Sequence, residues 1–338
     1  GDALVLLSSG SANFDLQNFN TLARNPYDFD SFAASGVGSD FYFRDTNYLV
    51  ISTVNDTAGV STGGDLVLTA GGDVTQNAAI SADSLRVTLR SAGGNYLVLS
   101  GANDVNNLSL QTRDNTGADD PDPNLGTATD GLIYFRDVDD FRLGVDIAIG
   151  IVDPGAAVTG VVTLQGNLNT GDSNVVLESG VLSAVTQLAN AGALVSTTGL
   201  GLIGGDFSID QGTAPANPIS AFDSANNVSF LATQTLDNDI LYREINGFTV
   251  NFVRMEFPDE FQGGLSQADF QVNGIQAGNV ILQVQAPTNF LQGQQGILLD
   301  FTGTDFGGNG QTLLSSFSTT DMEFDSPGYI ESSGRVII

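Results

Sequence analysis

The chain has 338 residues, with 39 acids against 10 bases and a net charge of −29. Of those acids 33 are Asp, every base is Arg, and Lys, His, Cys and Trp are absent. These absences exclude a Ser-His-Asp triad, a His- or Cys-ligated metal, a disulfide, a Schiff-base lysine and a P-loop. The charge is wrong for a phosphate backbone or an anionic membrane surface. Carboxylate chemistry, Arg chemistry and hard cations such as Ca²⁺ remain.

Read in chain order, the periodicity is that of strands. Short alternating apolar runs stand at 4–7, 48–51, 65–68, 85–89, 96–99 and 108–110, separated by Gly-Gly, Gly-Asp, Asn-Asp and Ser-Gly turn signals. Strands with turns every few residues predict an all-β chain. Over 181–195, Leu182, Val185 and Leu188 have helical spacing, but Gly180, Gly192 and β-like neighbours favour strand. No apolar run is long enough for a transmembrane helix.

Internal repetition narrows the fold class. Residues 38–53 read GSDFYFRDTNYLVIST, residues 130–145 DGLIYFRDVDDFRLGV and residues 238–252 NDILYREINGFTVNF. The shared frame is an apolar-aromatic run, Arg, an acid, then an apolar strand. A second frame appears in GNYLVLSGANDVNNLSLQT (94–112), in NNVSFLATQT (226–235) and at the amino terminus. Each cassette is long enough for several short strands, and repeats that cannot bury a face alone stack. The expected fold is a parallel β-solenoid over 1–254 in about three cassettes. Residues 255–338 are expected to form a β-rich capping or assembly region. Tandem antiparallel β-sandwiches are the alternative.

One stretch carries a resemblance. GGDLVLTAGGDVTQNAAISADSLRVTL (63–89) resembles the repeats of filamentous-haemagglutinin-like proteins and related large bacterial adhesins. The resemblance covers 63–112 best and 1–254 loosely. It implies a right-handed parallel β-helix, export to the bacterial surface, and a structural or adhesive role.

Four sets of side chains are candidates for chemistry. Asp120, Asp122 and Asn124 alternate oxygen ligands in a Pro-containing acidic loop, the pattern a calcium loop uses. Asp137 and Asp139, like Asp28/Asp30 and Asp237/Asp239, place two acids on one face beside a repeat strand. They are either a second Ca²⁺ site or turn residues that bond their own backbone. Arg44-Asp45, Arg136-Asp137 and Arg243-Glu244 repeat. A catalytic constellation is built once, so this repetition points to pairs between neighbouring strands. Phe41, Tyr42, Phe43, Tyr134, Phe135 and Tyr242 are either a sugar-stacking strip or a stacked ladder in the core; the ladder is favoured.

The resulting expectation is a non-enzymatic extracellular structural protein, subunit of a bacterial surface filament or shaft of an adhesin, with possible structural Ca²⁺. Surface glycans are possible partners; nucleic acid and membrane insertion are not expected. The chain opens inside a repeat frame and closes on a strand-like run. Leu4, Val5 and Leu6 at one end, and Val336, Ile337 and Ile338 at the other, are therefore expected to join copies head to tail. A carbohydrate-binding or polysaccharide-cleaving β-helix using Ca²⁺ and Arg is the alternative function.

Overall fold

The computed structural model describes residues 2–9, 14–16, 28–36, 38–91, 94–114, 126–152, 159–164, 166–187, 195–209, 226–235, 240–244, 248–250, 252–257 and 269–276, and the strands 280–284, 297–300, 312–316, 323–325 and 336–337. Among them the structure is all-β, with no helix. None therefore has a helix long and apolar enough to cross a membrane. Of the 181–195 stretch, Ala184–Gln187 is a strand and Leu182 is fully exposed.

Pairing is parallel along almost the whole chain. Ala3–Ser8 pairs with Ser31–Gly36, Phe41–Arg44 with Asp65–Ala70, Asp65–Ala70 with Ile80–Arg90, and Ile80–Arg90 with Asn95–Arg113. The series continues through Gly131–Asp137, Asn174–Glu178, Val195–Ile203 and Asn227–Gln234. It runs on past residue 254: Ile240–Glu244 pairs with Val280–Val284, which pairs with Thr312–Ser316. Each pass of the chain thus lies on the one before it. Among the described residues, antiparallel pairing is confined to three hairpins, at 53–58, 147–164 and 252–273, and one isolated bridge. The tandem-sandwich alternative is overturned by this parallel register.

Alternation explains the core. Successive side chains on a strand point to opposite faces, so Leu85, Val87 and Leu89 go inward. In-register neighbours stack them into rows. One row runs Phe41, Leu66, Leu85, Leu108, and the next Phe43, Leu68, Val87, Leu110. A third runs Leu97, Ile133, Val175, Leu200, Leu231. All of these residues are buried in one continuous cluster, and each buried side chain of this size stabilises by roughly 1.5–3 kcal/mol. The repeat aromatics fall among them. Phe43 stacks on Phe32 with centroids 4.9 Å apart, and Phe135 meets Phe141 edge-on at 5.5 Å. Tyr242 is fully buried and meets Phe248 edge-on.

The Tyr-Phe-Arg-Asp run shared by residues 42–45 and 134–137 has an unexpected position. The strand Phe41–Arg44 belongs to one run of paired strands and Gly131–Asp137 to another, so the two copies are not related by simple stacking. What they share is a corner. Asp45 accepts from Asn47 N at 2.9 Å and, across the corner, from Phe29 N at 2.8 Å. Asp137 accepts from Asp139 N and from Val105 N, each at 3.1 Å. One carboxylate oxygen closes the turn two residues on, and the other holds a more distant backbone N–H.

Two further corners are locked by paired amides. Gln76 Nε2 donates to Asn103 Oδ1 at 2.9 Å while Asn103 Nδ2 donates back to Gln76 Oε1 at 3.0 Å. Gln187 and Asn226 repeat the exchange at 2.8 and 3.1 Å. All four are buried, where a satisfied reciprocal pair avoids the desolvation loss of an unmet amide.

Candidate functional site

A cleft forms on the outer face of the strands between 95 and 234. Register places Tyr96, Leu132, Asn174, Gly199 and Phe230 in one outward row. Two residues on, Val98, Tyr134, Val176, Gly201 and Ala232 form the next row. The hairpin of Phe252–Met255 and Phe270–Asn273 lies over this second row. Its alternation sends Val253, Met255 and Val272 down to be buried with Val98, Tyr134, Val176 and Ala232. Phe270 meets Tyr134 edge-on at 5.2 Å.

Glycine makes the seating possible. A Cβ on Gly201 would lie 2.9 Å from Val176 Cγ2 and 3.1 Å from Val272 Cγ2. One on Gly199 would lie 2.3 Å from Asn174 Oδ1 and 3.3 Å from Val253 Cγ1. Two glycines at alternate positions of one strand therefore let the hairpin sink onto the sheet.

The first row stays open, and the cleft over it encloses about 480 Å³, within the usual size of a ligand site. Tyr96, Leu132, Asn174 and Phe230 contribute its floor; Phe252 and Arg254, on the upward face of the hairpin, contribute one side. Asp130 and Asp172, just before their strands, and Thr198, within Val195–Ile203, add polar groups to the lining. Neighbouring strands lie about 4.8 Å apart, so Tyr96 and Phe230, four spacings apart, are separated by roughly 19 Å along the stack. Phe230 and Phe252 are 37% and 44% exposed, whereas most of the other aromatic side chains among the described residues are buried. Arg254 pairs with Glu256 at 2.8 Å, and its backbone O accepts from Asn174 Nδ2 at 2.8 Å. That bond fixes the hairpin to the floor and turns the amide toward the cleft's edge.

Next to the cleft, Arg136 Nε lies 3.3 Å from Glu178 Oε1, its in-register neighbour on the following strand. Tyr134 Oη donates to the other oxygen of Glu178. Burial, then the bond to Glu178, pushes the Tyr134 phenol well above its ordinary range. Arg136 therefore pairs between strands, with Glu178, while the adjoining acid, Asp137, is turned to backbone.

The other anticipated sites are dispersed. Both oxygens of Asp137 are engaged by backbone N–H groups, as a turn residue's would be. Burial raises its pKa to about 7. Asp139 supplies one of those N–H groups. Asp120, Asp122 and Asn124 lie outside the described residues. Among the described residues, no group of three or more acids is placed to hold a metal. Leu4 packs partly against the core, Leu6 is buried, and Val5 is half-buried. Val336 and Ile337 pair with Thr312 and Leu313, while Ile338 lies outside the described residues. Phe41, Phe43 and Phe135 point into the core, and Tyr42 is buried with Val67, Ile147 and Leu164 under the 147–164 hairpin.

The cleft residues Tyr96, Phe230 and Phe252 were not singled out by the sequence. The one local signal was glycine at alternate positions of an otherwise strand-like run, 199 and 201, which marks close approach by another segment. No protein-family model, curated protein or solved structure was found to match the chain.

Proposed function

We propose that the chain is a non-enzymatic extracellular structural protein, the shaft of a bacterial adhesin or a subunit of a surface filament, built as a right-handed parallel β-helix. The carrying observation is the parallel register that hands on from pass to pass between Ala3 and Ile337. Stacking of this kind extends a protein in one direction, because each pass contacts chiefly its neighbours. Copies join end to end through the strands that carry Leu4, Val5 and Leu6 and those that carry Val336 and Ile337. Structural Ca²⁺ belongs to the same proposal, with Asp120, Asp122 and Asn124 as its ligands. Electron microscopy of the protein at high concentration tests the reading: rods that lengthen into filaments are expected. Strictly monomeric, compact particles in the microscope and by light scattering would overturn it. For the metal, the melting temperature should rise in millimolar Ca²⁺ and fall back with chelator at matched ionic strength.

A second reading, a carbohydrate-binding β-helix, is favoured by the cleft beside the 252–273 hairpin. It is compatible with the first, since a shaft that carries a binding cleft on its flank is an adhesin.

A further inference from the structure

We infer that this cleft binds an uncharged oligosaccharide laid along the stack, across the strands; the inference rests on reading the cleft as a binding site. The argument begins with the three aromatic rings. Tyr96 and Phe230 stand four strands apart in one register row, and Phe252 lines the same cleft from the hairpin. Tyr96 is partly buried against the hairpin's cluster, while Phe230 and Phe252 are exposed; exposed aromatic surface in a concave site takes flat, weakly polar C–H surfaces, and the face of a pyranose ring is such a surface. Between Tyr96 and Phe230 the floor carries Leu132 and Asn174.

The polar groups fit hydroxyls. Asp130 and Asp172 are acceptors, Arg254 is a donor, and Asn174 and Thr198 can do either. They line the same cleft as the aromatic floor. That is the arrangement needed to hold hydroxyls at the ring's edge while its face lies on an aromatic.

Charge decides among ligand classes. Two carboxylates face one guanidinium that is already paired with Glu256, and the whole chain stands at −29. A uronate, sulfated or phosphorylated glycan would meet repulsion near and far. A cationic ligand would gain little in return, because Asp130 and Asp172 are exposed to solvent, and exposed pairs contribute weakly. What remains favoured is a ligand recognised by ring faces and hydroxyls alone.

The test is binding of the full chain, by titration calorimetry or ligand-observed NMR, to soluble oligosaccharides of three kinds: uncharged glucans, mannans, galactans and xylans; amino-sugar oligomers; and uronate oligomers. An uncharged oligomer should bind with an affinity that changes little between low and high salt. Phe252→Ala and Phe230→Ala should each weaken it about tenfold. Both side chains are already partly exposed, so the variants should melt close to the parent.

Binding that falls steeply with salt, or that is confined to amino-sugar oligomers, would overturn the uncharged ligand. If Phe252→Ala still removed that binding, the cleft would stand as a binding site of another class. Binding unaffected by Phe230→Ala and Phe252→Ala would place recognition elsewhere on the chain. No binding to any of the three kinds would sink both the ligand and the reading of the cleft on which it rests.

Discussion

The two outer faces of the stack carry different surfaces over the same kind of apolar interior. Above the strands between 95 and 234 the outer row of Val98, Tyr134, Val176 and Ala232 is apolar, and the 252–273 hairpin seals it with Val253, Met255, Phe257 and Val272. On the face formed by Phe41–Arg44, Asp65–Ala70, Ile80–Arg90 and the later part of Asn95–Arg113, the outer rows turn polar. There Tyr42 and Val67 give way in register to Arg86 and Ser109, and Arg44, Thr69, Thr88 and Gln111 form the row beside them. Arg86 is fully buried and donates to Gln111 Oε1 at 3.0 Å. Arg113 Nε reaches the same oxygen at 3.2 Å. Gln111 in turn donates to Asn167, whose carbonyl accepts from Ser109 Oγ at 2.9 Å. The inward rows make the stack; the outward rows decide what can lie on each side of it. An apolar outer row accepts a hairpin and leaves a cleft at its margin, whereas a polar one is held by a network of named partners.

Changing one face into the other should break it, and the largest effect is expected where polarity is forced on the apolar side. Val176→Asp places a carboxylate under the hairpin with no cation there to meet it. Stability should fall by about 4 kcal/mol or more, read as an early urea midpoint, and the cleft should be lost with the hairpin's seating. A midpoint near the parent's would mean that the hairpin is only loosely attached. On the polar side, Arg86→Ala removes a buried guanidinium from its network and leaves a cavity. A loss of about 3 kcal/mol is expected; an unchanged midpoint would show that this layer is merely tolerated.

Between the two faces lies a corner held by Gln76 and Asn103. Asn103→Ala strands the Gln76 amide and also removes the acceptor of Ile80 N and a donor to Arg136 O. The expected loss is about 1–3 kcal/mol. Restoration by Gln76→Leu in the same chain, measured as a double-mutant cycle, would show how much of it comes from the stranded amide.

The smallest effect is a pH dependence. Burial pushes Asp137 up to about 7 and raises Asp45, Asp65 and Asp73 in the same direction. The native state therefore holds these protons more tightly than the unfolded chain does. Stability should rise as pH falls through 7 toward the ordinary carboxylate range, and decline as pH rises through 7. Asp137→Asn should flatten the part of the melting-temperature profile centred near neutrality. A profile as steep in the variant as in the parent would assign the slope to other groups.

Much of the fold was legible in the sequence because one rule generates it. Leu85, Val87 and Leu89 alternate, and so do Leu108 and Leu110, so the inward rows could be read residue by residue. The role of the repeated aromatic-Arg-acid frame was legible only in part. Phe41, Phe43, Phe135 and Tyr242 go to the core, but Tyr42 and Tyr134 are buried on outer rows under hairpins; the acids Asp45 and Asp137 work at corners, and corners occur on more than one side of the stack. The same local sequence can thus close turns that stacking does not relate. The cleft was not legible. Tyr96, Phe230 and Phe252 come from distant parts of the chain, and what brings them together is the stacking register and a hairpin inserted between passes. Neither leaves a periodic trace. Only the paired glycines of the Val195–Ile203 strand pointed toward it.

The seat of the 252–273 hairpin also has a mechanical meaning. Its buried residues share one cluster with side chains from four separate strands, Val98, Tyr134, Val176 and Ala232, so it lies across the stack as a splint lies across a joint. A pull along the stack axis can peel an unsplinted pass away by itself. Beneath the hairpin, neighbouring passes can part only after the splint has lifted. In an optical-trap extension this region should yield late and in one large step, and Val176→Asp should divide that step into smaller, earlier ones.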